Sequence, residues 1–176
     1  PAIPFQPRFD KPVKMQSTYP ASAQEVEEDN CIISFGWLTC QILNLEEWLA
    51  LSVLEIVLLD TDASPLKMAL LKSGLCKQVS VYVDGEINEI PFLIILKGCK
   101  AQNADPLEKL IRSTIEKIVE EGIPAEKINN AIHQLEFYRS EITGDQAPFG
   151  LSLFMRAALL RQHGGRTEDG LRIHSI

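Results

Sequence analysis

The stretch Gln78-Val79-Ser80-Val81-Tyr82-Val83-Asp84-Gly85, followed after Glu89 by Ile90-Pro91-Phe92-Leu93-Ile94-Ile95-Leu96, decides the fold class. Val79, Val81 and Val83 alternate with Ser80 and Tyr82, the period of a half-buried strand. Asp84-Gly85 is a turn signal, because Gly adopts left-handed backbone angles without steric cost and Asp bonds its own backbone. Ile90 to Leu96 is a second apolar run. Two such runs across a short polar connection predict an antiparallel hairpin with a slightly extended turn. Parallel neighbours would need a crossover of about a dozen residues or more, and the chain between Val83 and Ile90 is too short for one.

Upstream, Cys31 to Leu38 is β-branched and aromatic, and reads as a strand. Asn44 precedes Leu45 with Glu47 three residues on, a capping-box pattern that starts a helix running to about Leu59. That helix is apolar around most of its circumference and is expected to be largely buried. Ser64-Pro65 opens a short helix, with Ser as cap and Pro in the first turn, stopped by Gly74. Val13 to Tyr19 is a candidate first strand. Pro1, Pro4, Pro7 and Pro12 resist helix and central strand, so residues 1–12 read as an extended linker. Glu25, Glu27, Glu28 and Asp29 mark a solvated turn or loop.

Downstream, Asp105-Pro106-Leu107-Glu108 combines cap, proline and capping-box Glu. Leu107, Leu110, Ile111, Thr114, Ile115, Ile118 and Val119 then share one helical face, and Gly122 ends it. Pro124 to about Ile142 is a second amphipathic helix, with Ile128, Ala131, Ile132, Leu135 and Tyr138 inward. Gly144 to Pro148 is a loop. Leu151 to Gln162 is a third helix, closed by Gly164-Gly165. A hairpin flanked by helices grouped at the end predicts an α+β fold of two layers, a mainly antiparallel sheet with helices packed on one face. Residues 13–176 are expected to form a single α+β domain.

The composition bounds the function. With 24 acidic and 17 basic residues the formal charge is -7, which argues against nucleic acid as a partner, since phosphate binding needs a basic face. The longest apolar stretch is interrupted by Glu46, Glu47 and Glu55, so no membrane span is expected. Cys31, Cys40, Cys76 and Cys99 lack Cys-x-x-Cys spacing and sit in or beside apolar runs. They read as small apolar residues of a reduced, intracellular, cytoplasmic protein, and not as a disulfide framework or a zinc site. The beginning at Pro1 and the unfinished pattern at Ile176 lead to the expectation of a fragment of a longer chain.

No complete catalytic site is legible. In H-x-x-E-H, two histidines on one helical face bind zinc and the Glu serves as base. His133-Gln134-Leu135-Glu136-Phe137 approaches this, but Phe137 occupies the second histidine's place, and His163 and His174 do not restore the spacing. His133 and Glu136 therefore read as a polar pair one turn apart. Ser64, Ser73, Ser140 and Ser152 fall outside G-x-S-x-G; Gly150-Leu151-Ser152-Leu153-Phe154 has only its first half. Gly164-Gly165 lacks the strand and G-K-[ST] of a phosphate loop. Arg156, Arg161, Arg166 and Arg172 read as solvated helix-face residues. No catalytic or metal residue is assigned, and no substrate-binding residue is named.

Asp62-Ala63-Ser64-Pro65-Leu66-Lys67-Met68-Ala69-Leu70-Leu71-Lys72-Ser73-Gly74-Leu75 resembles a segment shared across the insulinase-type zinc metallopeptidases. Leu135 to Arg161, with Pro148-Phe149-Gly150-Leu151 and Leu153-Phe154-Met155-Arg156-Ala157-Ala158-Leu159-Leu160, is similar to the presequence-protease branch. Phe9-Asp10-Lys11-Pro12 fits the lead-in. The resemblance, from about Phe9 to Ile176, implies the second of four homologous α+β domains arranged as a clam shell. Zinc is then expected in the first, catalytic domain, held by H-x-x-E-H and a distal Glu, with no cofactor in this chain. The implied partners are that catalytic domain and the unstructured peptides the parent cleaves. Two other readings stand beside this one: a stand-alone assembly protein with an inactive peptidase-like fold, and an enzyme completing His133 and Glu136 with a partner's ligand.

Overall fold

The computed structural model describes residues 7–20, 30–140 and 148–171. The acidic segment from Glu25 to Asp29, Pro1 and Pro4, the loop from Gly144, Arg172 and His174 lie outside these residues. Strand β1 (Cys31–Gln41), β2 (Gln78–Val83) and β3 (Glu89–Cys99) form an antiparallel sheet in the order β1-β3-β2. Helix α1 (Leu45–Glu55) continues into a π-helical turn (Ile56–Asp60), and α2 (Pro65–Lys72) follows. Helices α3 (Ala104–Glu121), α4 (Ala125–Ser140) and α5 (Phe149–Gln162) complete the α+β fold.

The predicted hairpin pairs Val83 with Phe92 and Gln78 with Lys97. Strand β3 is longer than its apolar run, because Pro91 and Glu89 extend past the end of β2 to pair with Leu38 and Gln41 on β1. Pro91 thus sits where β3 has lost its β2 neighbour, as a residue without an N–H requires. At the other end the register shifts between Cys31 and Ile32, and Gly98 is the additional residue of a β-bulge, with φ at 70°.

The core lies between one sheet face and the helices. Val79, Ile94, Leu96 and Cys99 from the sheet meet Leu66 and Leu70 of α2 and Leu107 and Ile111 of α3. The opposite sheet face is uncovered among the described residues: Ile32, Leu38 and Tyr82 are exposed, and Leu93 and Ile95 half-buried. The π-helical turn carries Val57 and Leu59 into buried positions.

Several expectations are corrected. Val13 to Tyr19 is not a strand; it is exposed and has no regular secondary structure, with Lys14 on Asp105 at 3.4 Å within it and Arg8 on Glu89 at 2.7 Å before it. Helix α1 is not largely buried, since none of its residues is. Its apolar circumference meets solvent as well as protein. Asn44 does cap it, accepting from the Glu47 N–H at 3.4 Å. Ser64 starts α2 without capping it: its Oγ accepts from the Thr61 N–H at 3.2 Å. Asp105 lies inside α3, because a 3-10 turn (Ala101–Asn103) leads in, and Glu108 binds Arg112 instead of reaching back. The apolar stripe of α3 outruns the core, leaving Val119 75% exposed, and Tyr138 of α4 faces solvent.

Candidate functional site

Helical spacing places His133 and Glu136 one turn apart on α4, with Nδ1 and Oε2 at 3.4 Å. The His133 side chain is 77% exposed, and Phe137 beside it is exposed too. Gln134 turns the other way, donating to Asp60 Oδ2 at 3.0 Å. His163 Nε2 lies 3.2 Å from the backbone oxygen of Glu86, far along the chain from His133. Among the described residues no group of three or more His, Cys, Asp or Glu side chains is placed to hold a metal ion. A lone exposed imidazole beside one carboxylate and a phenyl ring does not fit zinc, which takes three or four protein ligands.

The other nucleophile types are built into the fold. Ser73 Oγ donates to the Leu70 carbonyl at 2.6 Å at the end of α2. Cys40, Cys76 and Cys99 are buried and all four cysteines are free. Cys31 stands opposite Cys99 across β1 and β3. Burial, then the neighbouring Cys76 and Cys31, push the Cys99 thiol up to about 11, so it stays protonated and unreactive at neutral pH.

Among the described residues, a cleft of about 520 Å³ lies between α1, α5 and the β2–β3 turn. Leu45, Trp48 and Leu49 form one wall, and Leu151, Met155 and Leu159 another. Gly85 of the turn lies flat on Trp48, where a Cβ would come within 2.6 Å of the ring. Arg139, at the end of α4, stacks over Trp48 at 5.3 Å from the ring centroid. Arg156 of α5 also lines the cleft. Burial, and next the charge of Arg156, pull the Arg139 pKa below its ordinary value. The expectation that Arg156 is a solvated helix-face residue is therefore corrected: it is half-buried beside another cation.

Comparison with known proteins places the chain. The sequence profile described as Peptidase M16 inactive domain matches residues 3–135. The chain belongs to the peptidase M16 inactive-domain family. It is 34% identical over 157 residues to presequence protease 1, chloroplastic/mitochondrial, of Arabidopsis thaliana, covering 88% of this chain and 14% of that protein. It is 29% identical over 177 residues to the mitochondrial presequence protease of Mus musculus, covering 99% of this chain and 17% of that one. The chain thus spans about one sixth of the curated relatives it matches. The crystal structure of an inactive peptidase domain from Bordetella parapertussis superposes with a TM-score of 0.62 at 14% identity, over 81% of this chain and 82% of that one. The antiparallel sheet with its helices is thus the fold of an inactive peptidase domain.

For this inactive domain the polar pair His133–Glu136 is a surface feature of α4. Most of the cleft lies beyond the span that the family profile matches, since Arg139 and all of α5 follow residue 135. Sequence reasoning missed it. The one available signal was the coincidence of Arg139 and Arg156 with apolar helices, and neither helix alone announces that the two arginines meet.

Proposed function

We propose that this domain is a non-catalytic wall of a zinc-dependent peptidase that encloses unstructured peptides, packed beside the catalytic domain that carries the zinc. The observation that carries the reading is the two-sidedness of the sheet in a domain of the inactive peptidase family. Helices cover one face, while the other leaves Ile32, Leu38 and Tyr82 exposed beside Leu93 and Ile95. An open apolar sheet face suits a chamber lining, because it offers extended peptides apolar contact without selecting a sequence. In this reading residues 1–12 are the linker from the preceding domain, and the protein works in the cytoplasm.

The test is cleavage of a quenched unstructured peptide by the full-length protein. Tyr82→Glu on the open face should lower kcat/KM about tenfold or more with little change in Tm, and zinc removal should abolish turnover. Full-length protein that neither binds zinc nor cleaves peptides, and forms a stable homo-oligomer, would overturn this reading in favour of an assembly protein with a peptidase-like fold.

A further inference from the structure

The sheet gathers three of the four cysteines at one corner. Cys31 is the first residue of β1 and Cys99 the last of β3, and the two stand directly opposite each other in the antiparallel ladder. Both point to the core side: Cys99 is a wholly buried member of the central cluster, and Cys31 packs against that cluster. Opposite residues of such a ladder have Cα atoms about 4.5 or 5.5 Å apart and side chains on one face, and a disulfide spans Cα separations of about 4.4–6.8 Å. The register shifts beside this pair, between Cys31 and Ile32, and Gly98 bulges on its other strand. The ladder is locally disrupted there, so it does not lock the pair's separation from both sides. Cys76, ahead of β2, is the third thiol. It is buried, donates to the Leu70 carbonyl at 3.7 Å, and has its pKa raised by burial. Of the three, Cys31 alone is half-buried, so an oxidant dissolved in water reaches it first.

We propose that Cys31 and Cys99 form a cross-strand disulfide when the protein meets a hydroperoxide, a latch that ties the outer strand β1 to the central strand β3. The Cys31 thiolate attacks one peroxide oxygen. The O–O bond breaks, the leaving hydroxide takes up the proton that Cys31 gave to solvent and departs as water, and Cys31 becomes a sulfenic acid. The Cys99 sulfur then attacks the Cys31 sulfur. The S–O bond breaks as the S–S bond forms, and the hydroxyl leaves as water with the Cys99 proton. Two electrons pass from the two thiols to the peroxide. Cys99, shielded and protonated, does not meet the oxidant itself; its contribution is its fixed place opposite the sulfenic acid. Reduction has to attack the accessible sulfur of Cys31 and expel Cys99, whose high pKa makes it a slow leaving group. The latch therefore outlasts the oxidant. It closes a long loop of chain through α1, α2 and β2, and it restrains the strand that carries Ile32 and Leu38 on the open face.

The test treats the reduced full-length protein with hydrogen peroxide, blocks the remaining thiols with N-ethylmaleimide, and maps the unreduced tryptic peptides by mass spectrometry. A Cys31–Cys99 cross-linked peptide is expected, two hydrogens lighter than its reduced halves, with Cys76 recovered as a blocked thiol. Amide exchange in the first turns of the β1 ladder should slow by about tenfold in the oxidised protein. Cys99→Ser should stop the reaction at a Cys31 sulfenic acid that dimedone traps, Cys31→Ser should leave Cys99 a thiol, and Cys76→Ser should still form the cross-link. Recovery of Cys31 and Cys99 as thiols, or of Cys31 as sulfinic acid with Cys99 still reduced, overturns the proposal. A Cys76–Cys99 cross-link in place of the expected one also overturns it. The mapping uses the unmodified protein, so it decides the question even where a variant fails to fold.

Discussion

The sheet with α2 and α3, and the helices α4 and α5, are similarly rich in apolar residues but use them differently. In the first region Leu66, Leu70, Ile94, Leu96, Leu107 and Ile111 are all but inaccessible and share one cluster. In the second, Ala131 and Leu160 are the only buried residues among those described, while Phe137, Tyr138, Leu151, Phe154 and Met155 face outward. The first region holds itself together. The second surrounds a cleft and keeps apolar surface available. The difference separates the part of an inactive peptidase domain that makes it fold from the part that has surface left to engage something else.

That contrast breaks first in the core. Leu70→Ala removes a side chain with no exposure and leaves a cavity between α2, α3 and the sheet, so it should cost about 2–5 kcal/mol. Urea or thermal unfolding followed by circular dichroism reads this directly, and a loss below 1 kcal/mol would mean that the cluster is not the stabilising centre. Gly98→Ala tests the bulge where β3 leaves the sheet. Its φ of 70° disfavours any side chain, and an added Cβ would lie 2.7 Å from Lys77 Cβ. The expected loss is about 1–3 kcal/mol, with the sheet signal otherwise retained.

The same contrast governs what could be read from the sequence. Period-two alternation at Val79, Val81 and Val83 identified the hairpin because one face of that strand is buried against the core and the other is not. Gly122 and Gly164 ended their helices with positive φ, where the residue type itself carries the backbone preference. Helix α1 misled because all-round apolarity does not say which side packs: Leu54 stays exposed, while Val57 and Leu59 of the turn that continues it are buried. The strand expected from Val13 to Tyr19 failed because local propensity cannot supply a neighbouring strand to pair with. The cleft was not legible because Trp48, Gly85, Arg139 and Arg156 come together only through the packing of four separate elements.

A smaller effect sharpens the boundary between the regions. Glu55 ends α1, and burial, then the nearby Asp60 charge, raise its pKa above the ordinary 4.5. Folding therefore favours the protonated form. The stability tied to this group is complete below the unfolded pKa and is lost as pH rises through the folded one. Glu55→Gln should accordingly stabilise the domain at pH 7 by under about 1 kcal/mol, reduced because water still reaches the side chain. The advantage should shrink as pH falls toward 4.5. Melting temperatures of the two proteins at pH 4 and pH 7 measure it, and an advantage that grows on acidification would reverse the sign argued here.

The smallest stability effect carries the most information about the second region. Phe154 is 65% exposed on α5, so Phe154→Ser removes little buried area and should change stability by no more than about 0.5 kcal/mol. A core phenylalanine would cost about 3–5 kcal/mol by the same truncation. If the outward face of α5 packs against another domain of the parent, the variant of the full-length protein should expose this region to protease faster than the unmodified protein does. Its isolated unfolding transition should stay in place. Stability loss without a change in protease access would mean that Phe154 belongs to the domain's own core, and the division between a self-sufficient sheet side and an outward-facing helix side would fail at that residue.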